Sequence, residues 1–197
     1  LKNTPIMILS DEIYAEMTYG GKKHISIAQI NNMKERTIIV SGFSKAFAMT
    51  GWRLGYALAP KPILEQMLKI HQFAIMCSPT TSQYGAVKAL ENYNEYISPM
   101  VEEFDLRRKL ITDGFNKIGL TCFNPQGAFY VFPSIEKTGL KSDEFCERLL
   151  LEKQVAIVPG TAFGDCGEGF VRVSYACSTQ NILKALERIT AFMEQFK

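Results

Sequence analysis

The 197 residues contain no apolar run long enough to cross a bilayer, so a helical membrane span is not expected. They contain no basic block either. Lysine and arginine number 22 against 20 acidic residues, a net charge of +2 spread along the chain. Neither nucleic acid nor an anionic membrane surface is expected as a partner. The five cysteines, Cys77, Cys122, Cys146, Cys166 and Cys177, are odd in number, widely spaced and never in a CxxC pair. That argues against a disulfide framework and a metal site, and for reduced thiols in a cytoplasmic protein. Histidine is scarce, and His24 and His71 have no partner at catalytic or ligand spacing. There is no internal repeat and no low-complexity segment.

What is present is globular. Hydrophobic residues make up 47% and charged residues 21%, enough for a core in one domain or two small ones. "PIMIL" (Pro5–Leu9), "RTIIVSG" (Arg36–Gly42) and "WRLGYALAP" (Trp52–Pro60) read as strands. Apolar strands separated by longer polar segments predict an α/β sheet covered on both faces. "KPILEQMLKIHQFAI" has helical period with proline at its start. "SPTTSQYGAVKALENY" reads as a helix capped by Thr80, Thr81 or Ser82. "EYISPMVEEFDLRRKLITDGFNKIG" reads as one long helix ended by Gly119. Beyond it, "AFYVFPSI", "VAIVPG" and "GFVRVSYA" predict strands, and "SDEFCERLLLEK" and "STQNILKALERITAFMEQF" predict helices opened by serine caps. The expected organisation is part of a large domain over 1–95, an interdomain helix over 96–118 and a small α+β domain over 119–197.

Ligands in open α/β sheets collect at the carboxyl ends of the strands. Asp11 follows the first strand, and Lys45 follows the second after a Ser-Gly-Phe-Ser turn. If those strands are parallel, both side chains reach one edge. Lys45 and Arg53 have no acidic neighbour within Ser41–Tyr56, so either both reach water or an anion sits between them. Pyridoxal phosphate suits such a set. Its aldehyde needs an amine, its ring nitrogen a carboxylate and its phosphate a cation. From the residues alone, each has a plainer reading: Lys45 a surface lysine, Arg53 an exposed strand arginine, Asp11 a turn cap, Tyr14 a core aromatic, Arg172 an edge-strand charge.

"SDEIY" (Ser10–Tyr14) with "SGFSKAFAMTGWRLGY" (Ser41–Tyr56) resembles the fold-type I, class I/II aminotransferases, in the branch holding bacterial aspartate and aromatic aminotransferases. "PQGAFYVFP" (Pro125–Pro133), "VPGTAFG" (Val158–Gly164) and "FVRVSYA" (Phe170–Ala176) follow in that family's order. The resemblance runs the length of the chain. It implies the C-terminal portion of the aspartate aminotransferase-like fold, with part of the large-domain mixed sheet plus a small α+β domain. It implies Lys45 as Schiff-base lysine and general acid/base, Asp11 as partner of the pyridinium nitrogen, and Tyr14 as donor to the 3-oxygen. Arg53, Ser44 and Ser41 would hold the phosphate, and Arg172 the substrate carboxylate. The implied reaction moves an amino group between an L-amino acid and a 2-keto acid, in a homodimer whose partner faces residues near Ser78–Ser82.

The family's earlier half is not present: a small-residue phosphate loop, an aromatic stacked on the cofactor, and an asparagine for the 3-oxygen. The chain is therefore expected to be a C-terminal part, with apolar sheet surface exposed and little turnover alone. Two alternatives stay open. One is a C–S β-lyase or other lyase of the same fold; the other is an aminotransferase-like sensor domain of a transcription regulator.

Overall fold

The computed structural model describes Leu1 and residues 3–196. Contacts divide the chain into two compact units, Leu1–Val101 and Glu102–Lys197.

In the first unit, β1 (Ile8–Asp11), β2 (Thr37–Gly42) and β3 (Gly55–Leu58) form a sheet in that order. β1 and β2 are parallel, with Asp11 opposite Val40. β2 and β3 are antiparallel, with Gly42 opposite Gly55. The first strand begins three residues later than its apolar run suggests, so Asp11 is its last residue rather than a residue beyond it. Pro5 has no N–H to give a ladder, and pairing with β2 begins only at Ile8. The sheet is not covered on both faces: Leu9, Tyr56 and Leu58 are exposed. Helices α1 (Lys61–Ala74) and α2 (Thr80–Glu91) follow. The cap of α2 is Pro79, not a hydroxyl residue. Ser82 instead donates to the Trp52 carbonyl at 2.6 Å, which ties α2 to the turn before β3.

The 26-residue α3 (Tyr93–Ile118) runs through Pro99, and the division at Val101/Glu102 falls within it. Gly119, at φ +94°, ends it in the left-handed region.

The second unit has an antiparallel sheet ordered β4 (Tyr130–Val131), β6 (Val171–Ser174), β5 (Val158–Pro159). β4 and β5 are two residues each, shorter than their apolar runs. After β4 the pairing with β6 is interrupted and returns in the same register only at a single bridge, Ser134 opposite Phe170. There the Ile135 amide donates to the Gly169 carbonyl, while the Ser134 amide turns to that of Thr121. Helices α4 (Ser142–Lys153) and α5 (Thr179–Met193) complete it. Ser178 caps α5, accepting from the Asn181 amide. Ser142 does not cap α4. It is the first helical residue, and its hydroxyl accepts from the Gly169 amide at 2.9 Å. Phe115, Ile135, Phe145, Leu149, Val171, Ile182 and Phe192 lie in one buried core.

Among the described residues, no helix is long and apolar enough to cross a membrane, and no group of three or more His, Cys, Asp or Glu could hold a metal ion. All five cysteines are free; burial pushes the Cys122 and Cys146 thiols up to about 11.

Candidate functional site

The sheet of the first unit gathers the candidate charges by strand direction. Asp11 ends β1 and Gly42 ends β2, which runs parallel to it. β3 runs the other way and starts at Gly55, so Arg53, two residues before it, lies at the same end. Lys45 lies three residues beyond β2, again at that end.

Glycine makes this end of the sheet tight. A Cβ on Gly42 would sit 2.9 Å from both Gly55 Cα and the Leu54 carbonyl oxygen, and a Cβ on Gly55 would sit 2.9 Å from the Ser41 oxygen. Only glycine allows that approach. From Gly42 the chain turns back on itself. The amides of Phe47 and Met49 both donate to the Phe43 carbonyl, and the Ala48 amide to that of Lys45. Phe43 and Met49 are buried against Ala86 and Ala89 of α2. Lys45, half-buried, therefore sits on a short turn pinned at each end by a core side chain. Two non-glycine residues near it, Ala48 and Arg53, are held at φ +53°. That region is costly for residues with a Cβ, and such strain collects at functional sites.

Arg53 is exposed, and its only hydrogen bond among the described residues goes from Nη1 to the Thr50 carbonyl at 2.9 Å. With Trp52 and Thr81 it lines an open cavity of about 490 Å³. Asp11 is exposed too; its Oδ1 accepts from the Ile13 amide at 3.1 Å, and no cation pairs with it among the described residues. Tyr14 lies in the turn that follows, its carbonyl accepting from the Met17 amide. The Ser44 hydroxyl makes no hydrogen bond among the described residues. The Ser41 hydroxyl donates to the Glu12 carbonyl at 3.3 Å, and a hydroxyl has one proton to give.

Arg172 belongs to the second unit, on the central strand β6. Its guanidinium carbon lies 4.7 Å from the ring centroids of both Tyr130 and Phe163. Its Nε is buried without a hydrogen-bond partner, and no carboxylate pairs with it among the described residues. A half-buried cation that meets no acceptor among the described residues can take an anion.

One group has no signal in the sequence. Glu12, 8% exposed, accepts from Ser26 at 2.7 Å and from Ser10 at 3.2 Å, and His24 Nε2 lies 3.0 Å from its Oε2. Burial alone would raise this carboxyl, but the bonds from Ser26, His24 and Ser10 overcome it and hold the pKa below the ordinary value. His24 thus does have a partner, contrary to its spacing.

The donor set fits pyridoxal phosphate: a lysine, with a carboxylate and a guanidinium that have no ion-pair partner among the described residues, at one end of one sheet, and the Ser44 hydroxyl beside the lysine.

Known proteins agree over nearly the whole chain. An aspartate aminotransferase of Pyrococcus abyssi is 46% identical over 194 residues, covering 98% of this chain and 50% of that protein. An aromatic-amino-acid aminotransferase of Thermococcus litoralis is 44% identical over 194 residues, again 98% of this chain and 50% of the relative. The crystal structure of an aromatic aminotransferase from Pyrococcus horikoshii superposes with a TM-score of 0.93 at 45% identity, over 96% of this chain and 51% of that one. The chain thus spans about half the length of these relatives. The family model for aminotransferase class I and II matches residues 1–189. With that match over almost every residue, the chain belongs to the class I and II aminotransferases, whose aspartate and aromatic members use pyridoxal phosphate.

Proposed function

We propose that these residues belong to a pyridoxal phosphate-dependent aminotransferase that moves an amino group between an L-amino acid and a 2-keto acid. The observation that carries this reading is that the directions of β1, β2 and β3 put Asp11, Lys45 and Arg53 at the same end of a three-stranded sheet. When bound, pyridoxal phosphate supplies an electron sink for the charge that develops as the substrate α-proton leaves. Lys45 Nζ would anchor the cofactor until the substrate amine displaces it and, as the freed amine, would take that proton and hold it for return. The Asp11 carboxylate would keep a proton on the ring nitrogen, and the Tyr14 phenol would donate to the 3-oxygen. Arg53 would hold the phosphate with its fork, and Ser44 would add a hydroxyl donor. Ser41 donates to the Glu12 carbonyl at 3.3 Å, so it would add a phosphate donor only by turning its hydroxyl away from that carbonyl. Arg172 holds the substrate carboxylate. The enzyme works in the cytoplasm as a homodimer, on the pattern the resemblance implies.

The test is keto-acid formation from L-aspartate and from L-phenylalanine by the full-length protein, with and without 2-oxoglutarate as acceptor. Product that requires the acceptor, and is lost in Lys45→Ala, supports transamination. Keto acid and ammonia formed without acceptor would overturn it in favour of a lyase.

A further inference from the structure

The guanidinium of Arg172 is the middle of a row of aromatic rings. β6 is the central strand, and the two rings that flank Arg172 come from opposite sides of it: Tyr130 from β4, and Phe163 from the turn after β5. Each ring is itself braced. Tyr130 lies 4.8 Å from Phe129, which stacks on Phe104 at 5.6 Å. Phe163 meets Phe132 edge-on at 6.0 Å, and Phe132 stacks on Phe170 at 5.6 Å. Arg172 makes no hydrogen bond or ion pair among the described residues, so the rings are what orients it.

An unpaired arginine on a flexible stem would sample many rotamers, and an anion would have to immobilise it on binding. A guanidinium between two ring faces loses that freedom beforehand. We propose that Tyr130 and Phe163 are positioning residues that pre-set Arg172 for carboxylate binding without touching the carboxylate, with Phe129 and Phe132 as their supports. The inference rests on the reading of Arg172 as the carboxylate-binding arginine and adds how that residue is held.

The experiment uses the full-length protein loaded with pyridoxal phosphate, and propionate as a carboxylate that cannot react. Phe163 is 51% exposed, so Phe163→Leu removes the ring with little cost to folding; Tyr130→Leu is the second variant. Each should weaken propionate binding about tenfold, while the ring-keeping Phe163→Tyr and Tyr130→Phe stay within about twofold of wild type. In steady-state assays KM should rise in the leucine variants while kcat holds. In wild type, the Nε–Hε signal of Arg172, assigned by its loss in Arg172→Gln, should be displaced by ring currents; it should return to the position of exposed arginines in Phe163→Leu. If Arg172→Gln abolishes propionate binding but the leucine variants bind as wild type, the clamp is wrong and the carboxylate reading stands. If Arg172→Gln itself leaves propionate affinity unchanged, the carboxylate reading fails and the inference with it. A joint fall of kcat, affinity and melting temperature in Phe163→Leu would mark the rings as merely structural and overturn the proposal.

Discussion

Glu12 and Arg53 show what single side chains do here. Glu12 follows Asp11 and ties Ser10, Ser26 and His24 to the strand end that presents the Asp11 carboxylate. Its pKa is depressed in the folded chain, so the stability it adds is full above the unfolded value of about 4.3 and is lost as pH falls through the folded value. Glu12→Gln should therefore cost about 1–3 kcal/mol near neutrality. The gap to wild type should close as pH falls below about 4.3, read from urea unfolding at a series of pH values. Arg53 is a different case. Its backbone is in the left-handed region, and its side chain makes one exposed hydrogen bond among the described residues. Arg53→Gly should relieve strain of about 1 kcal/mol and leave stability no lower than wild type. It should nonetheless weaken pyridoxal phosphate binding by more than about tenfold, since charge-assisted bonds of about 1.5–3 kcal/mol are lost. A variant that loses stability but keeps cofactor affinity would contradict that assignment. Asp11, Lys45 and Arg53 stand out in the sequence because each sits in a distinctive short motif. The Glu12–His24 pair does not. The two are brought together by the reversal at Gly20 and Gly21, both at positive φ, and no linear spacing announces such a contact.

Helices α1 and α5 differ in what they bury, although both show helical period in sequence. α5 buries Ile182, Leu186, Ile189, Phe192 and Met193, whereas α1 has no buried residue. Phe73 on α1 is 96% exposed and Ile70 71%. Periodicity reports which face is apolar, not whether anything covers it. Amide exchange measured on the 197-residue chain should show α1 protected far less than α5, because local opening of α1 exposes almost no new apolar surface. Equal protection would mean that α1 is covered in solution. Helix ends were partly readable. Gly119 and Ser178 stop and start helices as their residue types suggest. Ser82 and Ser142 do not cap, because each hydroxyl is taken by a tertiary partner, Trp52 or Gly169. Such competition is set by the fold and is invisible in a local pattern.

As a whole the chain holds two units of unequal self-sufficiency. The second has a buried core shared by its sheet and by α3, α4 and α5. The first has a small core around Phe43, Met49, Ala86 and Ala89, and leaves Leu9, Leu58, Ile70 and Phe73 exposed. Residues 102–197 alone should unfold cooperatively in urea, whereas residues 1–101 alone should bind a hydrophobic dye and show no sharp transition. The reverse result would contradict the assignment of cores. An α/β sheet and a smaller α+β unit were legible from the order of apolar runs, while the mixed character of the sheet came only with the family resemblance of the motifs. The open faces of the first sheet were not legible from periodicity, because strand pattern does not say which neighbours are present. The account as a whole stands on one amine. Borohydride reduction of the pyridoxal phosphate-loaded full-length protein, followed by peptide mapping, should place the pyridoxyl group on Lys45 and on no other lysine. An adduct on a different lysine, or none at all, would contradict it.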